Sequence, residues 1–132
     1  MLVAPVAGPS RAPAEPHTVL VVDDDAAVRS ALKFVLEIEG FRVRLYPNGQ
    51  ALLDDGNLPA LGCLVVDYRM PGMDGLELVE RLRADAIALP VVLICSRLNG
   101  WLRGRALRAG VSAVLEKPLS DSALIECIRR TT

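Results

Sequence analysis

The ionisable residues that follow apolar runs in this chain form a set worth reading together. Asp23, Asp24 and Asp25 come directly after TVLVV, and Asp67 closes a second run, CLVVD. The run VVLIC delivers Cys95 and then Ser96, and SAVLE is followed at once by Lys117. Carboxylates gathered at one place repel one another and raise each other's pKa unless a cation joins them. A hard divalent ion such as Mg2+ is the natural partner, because it takes oxygen ligands and keeps several waters. Mn2+ suits the same oxygen donors. A lysine beside the ion holds a further anion as a point charge. Carboxylates, cation and ammonium together make an electrophilic cradle for a phosphoryl group, with one carboxylate placed to act as its nucleophilic acceptor. Singly, each piece is commonplace: acidic residues often begin helices, and Lys-Pro is an ordinary surface turn.

Positioning these groups at one rim requires a particular succession of elements. TVLVV reads as a short buried strand, and Val28, Ala31, Leu32, Val35 and Leu36 then follow a helical period that Gly40 stops. FRVRLY alternates apolar and charged residues, as a half-exposed edge strand does. Asn48 caps a short helix through Leu53, and Asp55-Gly56 to Pro59 reads as a loop. CLVVD is a third strand, and Leu76, Leu78, Val79 and Leu82 mark a helix that closes near Asp85. VVLIC is a fourth strand. LNGWLRGRALRAG reads as a helix in which Gly100 and Gly104 each cost about 1 kcal/mol relative to alanine. SAVLE is a fifth strand, Lys117-Pro118 ends it, and Ser120 caps a last helix that turns Leu124, Ile125 and Ile128 inward. Strands alternating with helices imply right-handed crossovers and an α/β fold: a doubly wound, parallel five-stranded sheet of (βα)5 type. In such sheets, sites form beyond the carboxyl ends of the strands. Asp23, Asp24, Asp25, Asp67, Cys95, Ser96 and Lys117 all fall there.

At 132 residues, 52% hydrophobic and 23% charged with a net charge of -1, the chain has the size and balance of one globular domain. The near-neutral charge supplies no electrostatic reason for direct contact with nucleic acid or a membrane surface. No apolar run reaches the eighteen or so residues that cross a bilayer. Cys63, Cys95 and Cys127 are odd in number and widely spaced, which disfavours a disulfide framework or zinc site and points to a reducing, cytoplasmic setting. Residues 1–17 carry Pro5, Pro9, Pro13 and Pro16 among Ala, Gly and Ser, and are expected to form an extended tail ahead of a domain over 18–132. MLVAPVAG lacks the basic start and apolar length of a signal peptide. His17 belongs to the tail and is read as incidental.

VLVVDDDAAVR, CLVVDYRMPGMDGLEL and ALRAGVSAVLEKPLS resemble the receiver domain of two-component response regulators, and the likeness runs from about Thr18 to Arg130. The resemblance implies a flavodoxin-like fold. It also implies a signalling domain that takes a phosphoryl group from a histidine kinase or histidine phosphotransfer protein, with self-phosphotransfer and autodephosphorylation as its chemistry. Residue by residue, it makes Asp67 the phosphoacceptor and Lys117 the contact to the phosphoryl oxygens. Asp24 and the Arg69 backbone carbonyl would bind Mg2+ directly together with Asp67, and Asp23 would act largely through water. Pro71, Gly72 and Gly75 would shape the loop, and Lys117-Pro118 matches a peptide that is cis in the family. An output protein or domain would dock on the fourth helix and fifth strand. The loop and LRAGVSAVLEKP look nearest to regulators of the nitrogen-fixation type. The expected product is therefore either a stand-alone receiver or part of a longer regulator with a DNA-binding domain.

Two positions depart from the family pattern. Cys95 stands where a Thr or Ser hydroxyl reaches the phosphoryl group, and Val114 where an aromatic residue swings inward; Leu119 replaces a Phe that often follows Lys-Pro. A hydrogen bond to a charged acceptor contributes about 1.5–3 kcal/mol, and a thiol is a poor donor. Phosphorylation is thus expected to proceed while coupling to the fourth helix is weakened. Ser96, adjacent on the strand, projects to the opposite face and offers its backbone N–H instead. A redox role for Cys95 needs an accessible, electropositive setting, which neighbouring carboxylates oppose. Cys63 and Cys127 read as core residues. Trp101 with Arg97, Arg103, Arg105 and Arg108 is read as decorating the fourth helix, as either a solvated basic face with one packed indole or a partner surface. Two rival readings remain. One is an aspartyl-phosphate phosphatase of the haloacid-dehalogenase type built on Asp23 and Asp25, although Ala27 stands where that family has Thr or Val. The other is a pseudo-receiver scaffold that takes no phosphate.

Overall fold

The computed structural model describes residues 17–132. The tail expected over residues 1–17 therefore lies, His17 excepted, outside the described residues. The elements are β1 (Thr18–Val22), α1 (Ala26–Ile38), β2 (Arg42–Tyr46), α2 (Gly49–Asp54), β3 (Gly62–Asp67), α3 (Gly75–Ala84), β4 (Val91–Cys95), α4 (Gly100–Ala109), β5 (Ala113–Glu116) and α5 (Asp121–Thr131). The five strands form one all-parallel sheet in the order β2-β1-β3-β4-β5. The chain starts at β1 beside the centre, winds outward to β2, then crosses back through β3 to β5. This reversal leaves a crevice between the carboxyl ends of β1 and β3, where a doubly wound sheet binds its ligand.

Side-chain alternation along the strands divides the core in two. Leu20, Val22, Leu64, Val66, Leu93 and Cys95 pack on one face, against Leu52 of α2, Leu76 and Leu82 of α3 and Leu102 and Ala106 of α4. Val19, Val21, Cys63, Val65, Val92 and Ile94 pack on the other, against Leu36 of α1 and Leu124 and Ile128 of α5. Covering both faces is what makes β1, β3 and β4 nearly continuous aliphatic runs. β2, at the open edge of the sheet, keeps Arg42 and Arg44 in its alternation.

The helices start where cap residues stand. Asp25, Asn48, Asp74, Asn99 and Ser120 each accept a backbone N–H in the first turn that follows. α4 forms despite Gly100 and Gly104. Asn99 caps it, Leu102 and Ala106 are buried under it, and Gly110 closes it in the left-handed conformation at φ 86°. Its start at Gly100 corrects one sequence reading: Arg97 lies in the loop after β4 and does not decorate the helix. The indole of Trp101 is largely exposed rather than packed into the core, and Arg105 stacks over it at 5.5 Å while reaching Glu80 at 3.1 Å.

Candidate functional site

The site is assembled from three strand ends. β1 is followed by Asp23, which is buried, and by Asp24, which is exposed. The Asp23 carboxylate accepts the N–H of Asp25 at 2.9 Å, and the Asp23 carbonyl accepts from the Arg29 guanidinium at 2.6 Å. These two contacts turn the chain sharply from strand into α1. Asp25 spends its own carboxylate on the cap, accepting from Ala27 and Val28.

β3 ends on Asp67, whose backbone is fixed against β4. It pairs in register with Ile94, and Tyr68 N–H donates to the Ile94 carbonyl at 2.8 Å. The chain then turns through Gly72 at φ 79° and re-enters helix at Asp74, which forms a capping box with Glu77. Gly75 N–H returns to the Tyr68 carbonyl at 2.9 Å. Pro71 and Gly72 lie on this turn, and Gly75 opens α3 directly after it.

β5 brings in Lys117, whose Nζ stands 3.5 Å from Asp67 Oδ2. Lys117 N–H donates to the Cys95 carbonyl at 2.8 Å, which ties the ends of β4 and β5 together, and the Lys117–Pro118 peptide is cis. One carboxylate oxygen from each of Asp23, Asp24 and Asp67 lies within 4.8 Å of the others. Burial, reinforced by the neighbouring carboxylates, pushes both Asp23 and Asp67 above the ordinary aspartate value; for Asp67 the Lys117 ammonium and the Arg69 backbone N–H pull the other way. Desolvated oxygens held this close suit a hard divalent cation, which would relieve their mutual repulsion.

The two residues at the tip of β4 separate. Cys95 is 1% exposed, in the cluster beneath α4 and beside Val114. Burial, then Glu116 and Asp67, raise its thiol pKa, so it lacks the open electropositive setting of a redox thiol. Ser96 is exposed and lines the opposite side, a cavity of about 520 Å³ whose walls include Asp23, Ile94, Lys117, Leu119 and Leu124. Cys63 and Cys127 are buried core residues, as read. Two residues of the region escaped the sequence reading. Arg29 is one ordinary helical cation in a polar stretch, and nothing in its position announces a contact to the Asp23 backbone. Glu116, which accepts the Leu98 N–H at 2.9 Å, was legible only through strand alternation, since it must face away from Lys117.

The comparisons with known proteins agree with this geometry. A model of the response regulator receiver domain matches residues 19–129. This chain belongs to that family. The receiver domain is 41% identical over 112 residues to the transcriptional regulatory protein FixJ of Bradyrhizobium diazoefficiens, covering 83% of this chain and 54% of the relative. It is 35% identical to FixJ of Rhizobium meliloti over 88% of this chain and 57% of that one. The likeness to nitrogen-fixation-type regulators is thereby established, and the chain spans about half the length of these relatives. Among solved structures, the N-terminal part of FixJ superposes with a TM-score of 0.81 at 35% identity, over 89% of this chain and 94% of that chain. Chemotaxis protein CheY4 of Vibrio cholerae superposes at 0.83 with 22% identity, over 89% of this chain and 99% of its own, and supports the flavodoxin-like fold alone. Nothing in these matches favours a phosphatase or a scaffold, and the Asp25 carboxylate on which the phosphatase reading is built serves as a helix cap.

Proposed function

We propose that this receiver domain takes a phosphoryl group onto Asp67 from a phosphohistidine of a histidine kinase or histidine phosphotransfer protein. An Asp67 carboxylate oxygen attacks phosphorus, the phosphorus–nitrogen bond breaks, and the imidazole leaves with its electron pair and takes a proton. A divalent cation held by Asp24, Asp67 and the Arg69 carbonyl, with Asp23 acting through water, would neutralise charge on the transferring group; Mg2+ fits this oxygen set, and Mn2+ is the next choice. Lys117 binds the phosphoryl oxygens from the other side, and the rigid β3 end keeps the acceptor in line. Water attacking phosphorus of the acyl phosphate in the same cradle breaks the Asp67 oxygen–phosphorus bond, releases inorganic phosphate and restores the free carboxylate. The single observation that carries this reading is a buried Asp67 carboxylate that shares one rim with two further aspartates and a lysine Nζ at 3.5 Å.

The donor has a suitable approach beside this rim. Ala27, Ala31, Phe34 and Ile38 form an exposed apolar stripe at helical spacing along α1, with Phe34 67% and Ile38 66% exposed, and the cavity by Ser96 opens next to it. A helix bearing the donor histidine would pack along that stripe. Output is assigned to α4 and β5, where Trp101, Leu107 and Arg103 are exposed. Because its FixJ relatives are transcriptional regulators, we propose that the domain acts in the control of transcription in the cytoplasm. The Pro-rich residues 1–17 are proposed as a tail outside the domain over 18–132. Among the described residues no helix is long and apolar enough to cross a membrane.

Incubation with acetyl phosphate and Mg2+, followed by peptide mass mapping, tests the assignment. One phosphoryl adduct on Asp67, absent from Asp67→Asn, is the expected result. An adduct on Asp23 would return the phosphatase reading, and no adduct the scaffold.

A further inference from the structure

Leu98 lies in the loop between β4 and α4, and its backbone N–H donates to Glu116 Oε2 at 2.9 Å. Glu116 is the last residue of β5, and the next residue is Lys117, with its Nζ 3.5 Å from Asp67 Oδ2. Successive residues at a strand end project to opposite faces. One dipeptide therefore holds the acceptor carboxylate with one side chain and the loop leading into α4 with the other. The dipeptide is anchored on β4 as well: Glu116 pairs with Cys95 in register, and Lys117 N–H donates to the Cys95 carbonyl at 2.8 Å. Asn99, directly after Leu98, accepts the Leu102 N–H at 2.8 Å and so starts α4. From Lys117 to the first turn of α4 the path is one peptide unit, one hydrogen bond to a carboxylate and one helix cap.

Cys95 and Val114, on the same face, provide no polar link of the kind. Cys95 presents a buried thiol, a weak donor, and Val114 is aliphatic. We propose that Glu116 is the positioning residue that couples the state of Asp67 to the β4–α4 loop, in place of the hydroxyl that Cys95 lacks. The proposal rests on the reading that Asp67 is the phosphoacceptor. A phosphoryl group adds a doubly charged partner for the Lys117 ammonium beyond the carboxylate oxygen that it now faces. Lys117 turns toward it, the bond from the Lys117 N–H to the Cys95 carbonyl yields as the Glu116–Lys117 peptide turns with it, and Glu116 loosens its hold on the Leu98 N–H. The loop and the Asn99 cap are then free to take a second arrangement.

Amide hydrogen exchange by NMR, with and without beryllofluoride and Mg2+, reads this directly. Occupancy of Asp67 is followed separately by fluorine NMR of the bound beryllofluoride. In the unmodified domain, occupancy should speed exchange of the Leu98 amide by roughly tenfold or more, as expected for loss of one hydrogen bond to a charged acceptor, and should shift the amides of the first turn of α4. Glu116→Gln keeps an acceptor at the same reach and should reproduce this response. Glu116→Ala should bind beryllofluoride as well, exchange Leu98 fast in both states, and lose most of the α4 shift. If the alanine variant unfolds, Glu116→Met, which keeps the stem without the carboxylate, carries the same expectation. An unchanged Leu98 rate on occupancy, or equal α4 responses in all variants, overturns the coupling and leaves the Asp67 reading standing. No occupancy at Asp67 in the unmodified domain overturns both.

Discussion

A Cβ placed on Gly75 would stand 2.6 Å from the carbonyl oxygen of Asp67 and 3.0 Å from Leu93 Cδ1. The first turn of α3 thus lies directly on the backbone of the candidate acceptor, and only glycine permits it. Backbone on backbone cannot be relieved by rotating a side chain. Gly75→Ala should therefore destabilise the domain by about 1–3 kcal/mol, the usual cost of overpacking, and slow phosphorylation of Asp67 by displacing it. Urea unfolding checks the first expectation; a midpoint equal to that of the unmodified domain would show that α3 can slide without cost.

Cys95 invites the complementary experiment. Cys95→Thr places a hydroxyl at the tip of β4, where a bond to a charged acceptor is worth about 1.5–3 kcal/mol. That amounts to a shift of roughly 10- to 150-fold in the equilibrium between resting and active states. In the unmodified domain, beryllofluoride should leave α4 resonances averaged between two states, and the threonine variant should move them toward one. A complete shift to a single new state without the substitution would refute weak coupling at Cys95.

Metal binding should stabilise the domain, because desolvated like charges oppose folding until a cation joins them. A concentration of Mg2+ a hundredfold above Kd adds about 2.7 kcal/mol to stability by mass action. Asp24→Asn should remove most of that increment while changing metal-free stability little, since Asp24 is the exposed member of the three. Thermal melts of both proteins across a Mg2+ titration measure it, and an increment that survives in the variant would place the ion elsewhere.

The Tyr46 hydroxyl donates to Asp55 Oδ2 at the open side of β2, with Arg44 beside it at 3.5 Å. The Tyr46 bond first, then the Asn57 N–H, hold Asp55 below the ordinary 3.8; burial first, then Asp55, hold Tyr46 above the ordinary 10.0. The two signs differ. The Asp55 contribution is present above the unfolded carboxyl pKa and is lost as pH falls through its lower folded value. The Tyr46 contribution is complete below the unfolded phenol pKa and is lost as pH rises through its higher folded value. Tyr46→Phe should lower stability across the middle range and by less at both extremes. Parallel pH–stability curves for the two proteins would count against the bond.

Much of this molecule is determined locally and so is readable in the chain itself. The aliphatic runs TVLVV, CLVVD and VVLIC become central strands because both of their faces are covered, and cap residues from Asp25 to Ser120 start the helices within a residue of where they stand. Alternation of strands and helices carries the parallel sheet, and the sheet carries the rim on which Asp23, Asp24, Asp67 and Lys117 meet. What tertiary structure decided is contact at the scale of a few ångströms. It buried the Cys95 thiol, put Arg97 in a loop rather than on α4, and pressed Gly75 against Asp67. It also joined Glu116 to Leu98, residues that lie eighteen positions apart. Local preference acts through near neighbours in sequence. Which side chain of one strand end meets which loop amide depends on register and twist summed over the whole sheet, and no short stretch of sequence contains that sum.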